Sequence, residues 1–128
     1  MRKFNNQFVF SASDLSNHIH CKHITNLNID VVEGVLDKPM STNRVLDVLR
    51  ERGIDFENSF LVELEAKGLS IVTIDPEESN AKQKTIEAMH QGADYIYQAR
   101  LSNDKWQGWA DFLIKVTSPS DLGNWSYE

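Results

Sequence analysis

The sequence predicts an α/β (α+β) chain in which helices pack on a small mixed sheet, and three observations predict it. Apolar residues recur at helical spacing over residues 12–25, 42–66 and 79–91. A short apolar run at 69–74 has strand character. Two further extended stretches, 94–101 and 106–116, are separated only by the polar segment Ser102-Asn103-Asp104-Lys105, which is the pattern of a hairpin. Helical and strand patterns mixed along one chain of this length point to helices layered on a sheet.

Gln7 to Phe10 is a short apolar piece. Ser11, followed three residues later by Asp14, resembles a capping box that opens a helix over about residues 12–25, with Leu15, Ile19 and Ile24 spaced for one face. Residues 26–40 contain Gly34 and Pro39 and little periodicity, so they are expected to form a connector. Ser41 or Thr42 is the expected N-cap of a helix reaching Ala66, with Leu49, Phe56, Phe60 and Leu64 at three- and four-residue spacing and Gly68 as its stop. Gly53 interrupts this pattern. A glycine inside a helix costs about 1 kcal/mol relative to alanine, so the expectation is that two helices meet there or that something approaches the backbone closely. Glu57 lies one turn after Gly53 and one turn before Phe60 and Leu61, at the edge of the apolar stripe.

Leu69 to Ile74 reads as a buried strand ended by Pro76, and Ser79 to Gln91 as a helix ended by Gly92. In the hairpin, strict alternation puts Tyr95, Tyr97, Ala99 and Leu101 on one face with Trp106, Gly108, Ala110 and Phe112. It puts Asp94, Ile96, Gln98 and Arg100 on the other with Gln107, Trp109, Asp111 and Leu113. Asp111 then stands nearly opposite Ile96, with Gln98 and Trp109 alongside, where a half-open cleft is expected to solvate it, whereas a one-residue register slip would bury it instead. An ionised carboxylate in an apolar strand costs about 3 kcal/mol or more unless a metal, a cation or water compensates it, so Asp111 demands a reason. Residues 117–124 are turn-rich, and Trp125 to Glu128 begins a further strand. There is no internal repeat.

With 128 residues, 41% hydrophobic and 25% charged, the chain is expected to form a single domain over residues 1–128 with a modest core. Nineteen acidic against thirteen basic residues give a net charge of −6, which opposes broad attraction to polyanions but not a local site built from carboxylates. The N-terminus carries two cations without a long apolar run behind them, so no secretory signal, no transmembrane segment and no membrane partner are expected, and the location expected by default is cytoplasmic. Cys21 is the only cysteine, so no intrachain disulfide, four-cysteine zinc site or iron-sulfur cluster can be built from this chain alone.

Glu57 on a helix and Asp111 on a strand are hard oxygen ligands of the kind Mg2+ or Mn2+ takes together with waters and phosphate oxygens. Spacing alone does not select them from nineteen acidic residues. The competing reading is a surface Glu57 and an Asp111 satisfied by backbone donors. On one helix His20 and His23 would be one turn apart, as would His18 and Cys21, and the two pairs fall on different faces, which argues against a closed tetrahedral zinc site. Cys21 is expected to be a small packed residue, and His90, near a helix C-terminus, is explained by the helix dipole. Arg100, Lys105, Trp106 and Trp109 combine phosphate pairing with base stacking, although such tryptophans more often pack in cores or hairpins.

Several segments together resemble a known family. Ser11-Ala12-Ser13-Asp14-Leu15, Cys21-Lys22-His23-Ile24-Thr25, Arg52-Gly53 with Glu57 four residues after the glycine, Thr85-Ile86-Glu87-Ala88-Met89, Gly92-Ala93-Asp94-Tyr95-Ile96-Tyr97-Gln98 and Gly108-Trp109-Ala110-Asp111-Phe112-Leu113 occur in that order. The chain resembles the N-terminal part of the RecB-like nucleases of the PD-(D/E)XK superfamily. The resemblance implies a restriction-endonuclease-like core that is incomplete at its C-terminus. It also implies that Glu57 and Asp111 are the catalytic carboxylates and ligands of Mg2+ or Mn2+. Gln98, Arg100 and His23 are the residues expected to face substrate, which the resemblance makes single- or double-stranded DNA. The family's acid-x-lysine element is expected a few residues beyond Glu128, and Glu128 itself, three positions before that acid, points to the opposite strand face. Phe56 stands where many relatives carry histidine. The expectation is therefore the front part of a metal-dependent DNA nuclease, inactive alone. The alternative is a noncatalytic binding module, or a truncated remnant that self-associates as a homo-oligomer through an unpaired sheet edge.

Overall fold

The computed structural model describes residues 1–40 and 44–128, so Ser41 and Thr42, the expected N-caps, lie outside the described residues. Four helices and two sheets among the described residues make a mixed α+β chain, in line with the mixed sequence pattern. The chain divides into two compact units, one from the N-terminal segment with Ser102–Gly108, the other from the long third helix to Leu101 with Trp109–Glu128.

The first unit opens with β1 (Arg2–Phe4) and β2 (Gln7–Val9), an antiparallel pair with Arg2 opposite Val9 and Phe4 opposite Gln7. Asn5 and Asn6 turn the chain with φ of 47° and 63°, the left-handed pair that a two-residue hairpin turn requires and that asparagine tolerates. The capping box forms as its residues predict. The Ser11 amide donates to Asp14 Oδ2 at 2.8 Å, and the Asp14 amide donates back to Ser11 Oγ at 3.4 Å, opening α1 (Ala12–His20).

The single helix expected over 12–25 is in fact two. Cys21 takes an extended conformation (φ −156°) while its amide still donates to Asn17 O, and α2 (Lys22–Val32) starts immediately after it. No glycine or proline marks this break. The connector expected over 26–40 is helical as far as Val32. Ile24, Leu27 and Val31 keep a helical spacing there, but Asn26 and Asn28, weak helix formers, mask it. Cys21 is exposed rather than packed. Trp106 packs on Phe10 with ring centroids 5.5 Å apart, and the Asn103 side chain accepts the amides of Lys105 and Trp106 at 3.0 and 2.8 Å, an Asx turn.

The second unit begins with α3 (Arg44–Ala66). Gly53 neither ends this helix nor meets a close neighbour, since a side chain built there would find open space. The inward stripe also differs from expectation. Leu49 and Phe56 are 57% and 71% exposed, whereas Glu57, Phe60, Leu61 and Leu64, spaced by three, one and three, are the half-buried to buried positions. Glu57 therefore ends the stripe, the border position its spacing predicts.

β3 (Ile71–Thr73) runs parallel to β4 (Tyr95–Ser102), with α4 (Ala81–Gln91) as the crossover between them. β5 (Gln107–Val116) and β6 (Ser126–Tyr127) complete the order β3-β4-β5-β6, the last pair antiparallel. Ile74, Ala81, Ala88, Ala93, Ile96, Ala99 and Leu113 form one core between α4 and the sheet. The aromatic ring of Phe60 on α3 meets Phe112 at 5.1 Å and Tyr95 at 6.2 Å, both edge-on. Gly92 caps α4 in the left-handed conformation (φ 72°). Against that end of α4, Lys115 Nζ donates to Gly92 O at 2.8 Å, the Trp125 indole to Met89 O at 3.1 Å, and the Tyr127 hydroxyl to Ala93 O at 2.7 Å. Among the described residues no helix is long and apolar enough to cross a membrane.

Candidate carboxylate site

Strict alternation in the hairpin holds only as far as Tyr97. Ile96 and Ala99, three apart, are both fully buried in the same core, so one residue between them is extra. It is Gln98, whose φ of 56° lies in the left-handed region. A residue inserted into a strand in this way is a bulge, and it bends the strand and re-aims the side chains beside it. The predicted faces are corrected accordingly. Ala99 joins Ile96 rather than Tyr95 and Tyr97, while Gln98 leaves the Ile96 face and turns to the side of Tyr97. On β5, Ala110 packs against that core and Leu113 is buried in it, and between them in sequence stands Asp111. It is exposed, and water, rather than a partner inside an apolar strand, answers the desolvation problem that the sequence posed.

The bulge puts two consecutive residues onto one carboxylate. The Tyr97 hydroxyl donates to Glu57 Oε2 at 2.8 Å, and the Gln98 amide Nε2 donates to the same oxygen at 3.3 Å. In an unbroken strand these neighbours would point to opposite faces. Neither bond engages Oε1. Burial first, then the bond to Glu57 and the charges of Glu57 and Asp111, push the Tyr97 phenol above its ordinary value, with the Gln98 contact acting the other way. The phenol is thus a protonated donor at neutral pH, and it feels both predicted carboxylates.

Arg100 is fixed from both ends. Its amide donates to Thr85 Oγ1 at 2.9 Å, and its guanidinium lies 4.9 Å from the centroid of the half-exposed Trp109 ring. Thr85 is the one buried polar residue among the described residues and donates its own proton to Ala81 O at 3.0 Å. Its oxygen takes a backbone donor two residues beyond the bulge.

Of the predicted site residues, Glu57, Gln98, Arg100 and Asp111 all belong to the second unit, and Tyr97 links Glu57 to Asp111 electrostatically. His23 belongs to the other unit, exposed in the first turn of α2. Two of the N-terminal histidines have other partners: His18 Nδ1 meets Thr25 Oγ1 and His20 Nδ1 meets Ser16 O, each at 2.8 Å. Among the described residues, no group of three or more His, Cys, Asp or Glu side chains gathers as a metal cluster. Tyr97 was missed by reading the sequence for charge alone. Its signal was chemical: a tyrosine packed on the Phe112 ring needs an acceptor for its hydroxyl. Comparison with family models, with curated proteins and with solved structures gives no match to this chain.

Proposed function

We propose that Glu57 and Asp111 bind one divalent cation, Mg2+ or Mn2+, in a restriction-endonuclease-like core, as the front part of a RecB-like DNA nuclease site. What supports this reading is that Glu57, bonded to the Tyr97 hydroxyl at 2.8 Å, and the exposed Asp111 of β5 belong to one compact unit, with the Asp111 charge the smallest of the effects that raise that phenol. The donor chemistry fits such an ion, because carboxylate oxygens open to water are the usual protein share of a Mg2+ shell. When bound, the cation would polarise a phosphodiester and acidify a water. The chain's own residues hold it, and the Arg100–Trp109 pair beside Gln98 offers a cationic and stacking surface for a nucleic-acid strand. Cleavage also requires the acid and lysine that the resemblance assigns to a following strand, and these 128 residues do not include them.

Calorimetric titration of Mn2+ tests the reading. Wild type is expected to bind one ion, with Asp111→Ala and Glu57→Gln weakened by at least about tenfold, or about 1.4 kcal/mol. Equal binding by all three proteins, or binding by none, overturns it. A noncatalytic role follows if the ion binds but neither single- nor double-stranded DNA is retained in its presence.

A further inference from the structure

A carboxylate that grips an ion with one oxygen is useful only if the other oxygen is held still, and the bulge in β4 supplies that hold. Gln98 keeps a left-handed backbone although it is neither glycine nor asparagine, at a cost of about 1–2 kcal/mol. The apolar core gains nothing from the extra residue, since plain alternation without it would already put Ile96 and Ala99 on the same face. What the bulge does achieve is local. It brings the Tyr97 hydroxyl and the Gln98 amide onto the single atom Glu57 Oε2, two neutral donors that leave the carboxylate its negative charge.

We propose that Tyr97, aided by Gln98, is a positioning residue that pins Glu57 through Oε2 and presents Oε1 to the divalent cation. This role rests on the cation reading above. Three features support it independently of that reading. The bond is 2.8 Å long, and it crosses from strand to helix over forty residues of sequence. The Tyr97 ring is braced, with Phe112 at 5.0 Å and Phe112 in turn against Phe60 at 5.1 Å. Phe60 sits one turn beyond Glu57 on the same inward stripe of α3, so one aromatic cluster fixes both partners of the bond. Hydrogen bonds to a metal-binding group from outside the metal's own shell commonly account for about 10- to 100-fold in affinity.

The experiment is a Mn2+ affinity cycle on the full chain, read by the electron paramagnetic resonance of free Mn2+, using wild type, Tyr97→Phe, Glu57→Gln and the double variant. Tyr97→Phe keeps the ring and its packing and removes only the donor. It is expected to weaken Mn2+ about tenfold while the melting temperature of the metal-free protein stays within a few degrees of wild type. In the Glu57→Gln background the same change is expected to have no further effect, the coupling that a general structural role would not produce. Gln98→Ala, which retains the Tyr97 bond, is expected to weaken Mn2+ less than Tyr97→Phe does. Equal affinity in wild type and Tyr97→Phe, or an undiminished effect in the Glu57→Gln background, overturns the positioning role and leaves the cation reading standing. No uptake by wild type overturns both.

Discussion

Among the described residues of the second unit, Gln98 is the one non-glycine residue at positive φ. A side chain at positive φ sets Cβ against its own carbonyl, whereas glycine has no such contact. Gln98→Gly and Gln98→Ala remove the same amide bond to Glu57, so the difference between them isolates the backbone. The glycine variant is expected to be the more stable by about 1 kcal/mol in urea denaturation. Equal stability would mean that the left-handed backbone costs nothing. Thr85 illustrates the complementary residue-scale rule. Its hydroxyl is buried, but it receives one hydrogen bond and donates another, so a polar group in the core is satisfied and fixes where the strand resumes after the bulge.

Among the elements, the junction of β3, β4 and β5 is held by a compact polar staple. Asp94 accepts the Ser70 amide at 2.9 Å and the Ser70 hydroxyl at 2.8 Å, and Lys115 Nζ lies 3.7 Å from its other oxygen. The two bonds from Ser70 first, and the Lys115 charge after them, hold the Asp94 carboxyl below its usual value against a small opposing effect of burial. The folded protein therefore favours the ionised form. This contribution is complete above the unfolded value near 3.9 and is lost as the pH falls through the lower folded value. Because Asp94 is 40% exposed, screening keeps it to under about 1 kcal/mol. Wild type is expected to lose more stability than Asp94→Asn between about pH 5 and pH 3, measured by thermal melts across that range; parallel curves would count against it. Some of the element boundaries were legible. Ser11 with Asp14, Gly92 and the Asn103 turn carry local signals that do not depend on the rest of the fold. The break at Cys21 was not legible, because it rests on one extended residue between two helices rather than on a special amino acid. The bulge was hidden for a related reason: alternation is read by assuming one residue per step, and only packing reveals an extra one. Glu57 and Asp111 could be named from spacing and resemblance, but their link through Tyr97 is a contact across forty residues that no local pattern contains.

At the scale of the whole molecule, burial is unevenly distributed. Every fully buried hydrophobic residue named among the described residues, from Leu64 to Leu113, lies in the second unit, and α1 and α2 contain none. Resistance to local opening follows buried apolar contact. Amide hydrogen exchange is therefore expected to be slowest along β4 and the inner face of α4 and markedly faster in α1 and α2. Uniform protection throughout the chain would contradict this. The candidate site draws on the protected part: Tyr97 stands on β4, and Glu57 shares its stripe with the buried Leu64.

The surplus residue in β4 also bears on how this chain tolerates change in length. Shortening the strand by Gln98 would restore a plain zigzag in which Tyr97 and Ala99 still face opposite ways, so both apolar layers would keep their members. The hydrophobic interior is thus indifferent to that one position. What the extra residue changes is the group on the facing helix, whose carboxylate would lose the Gln98 amide.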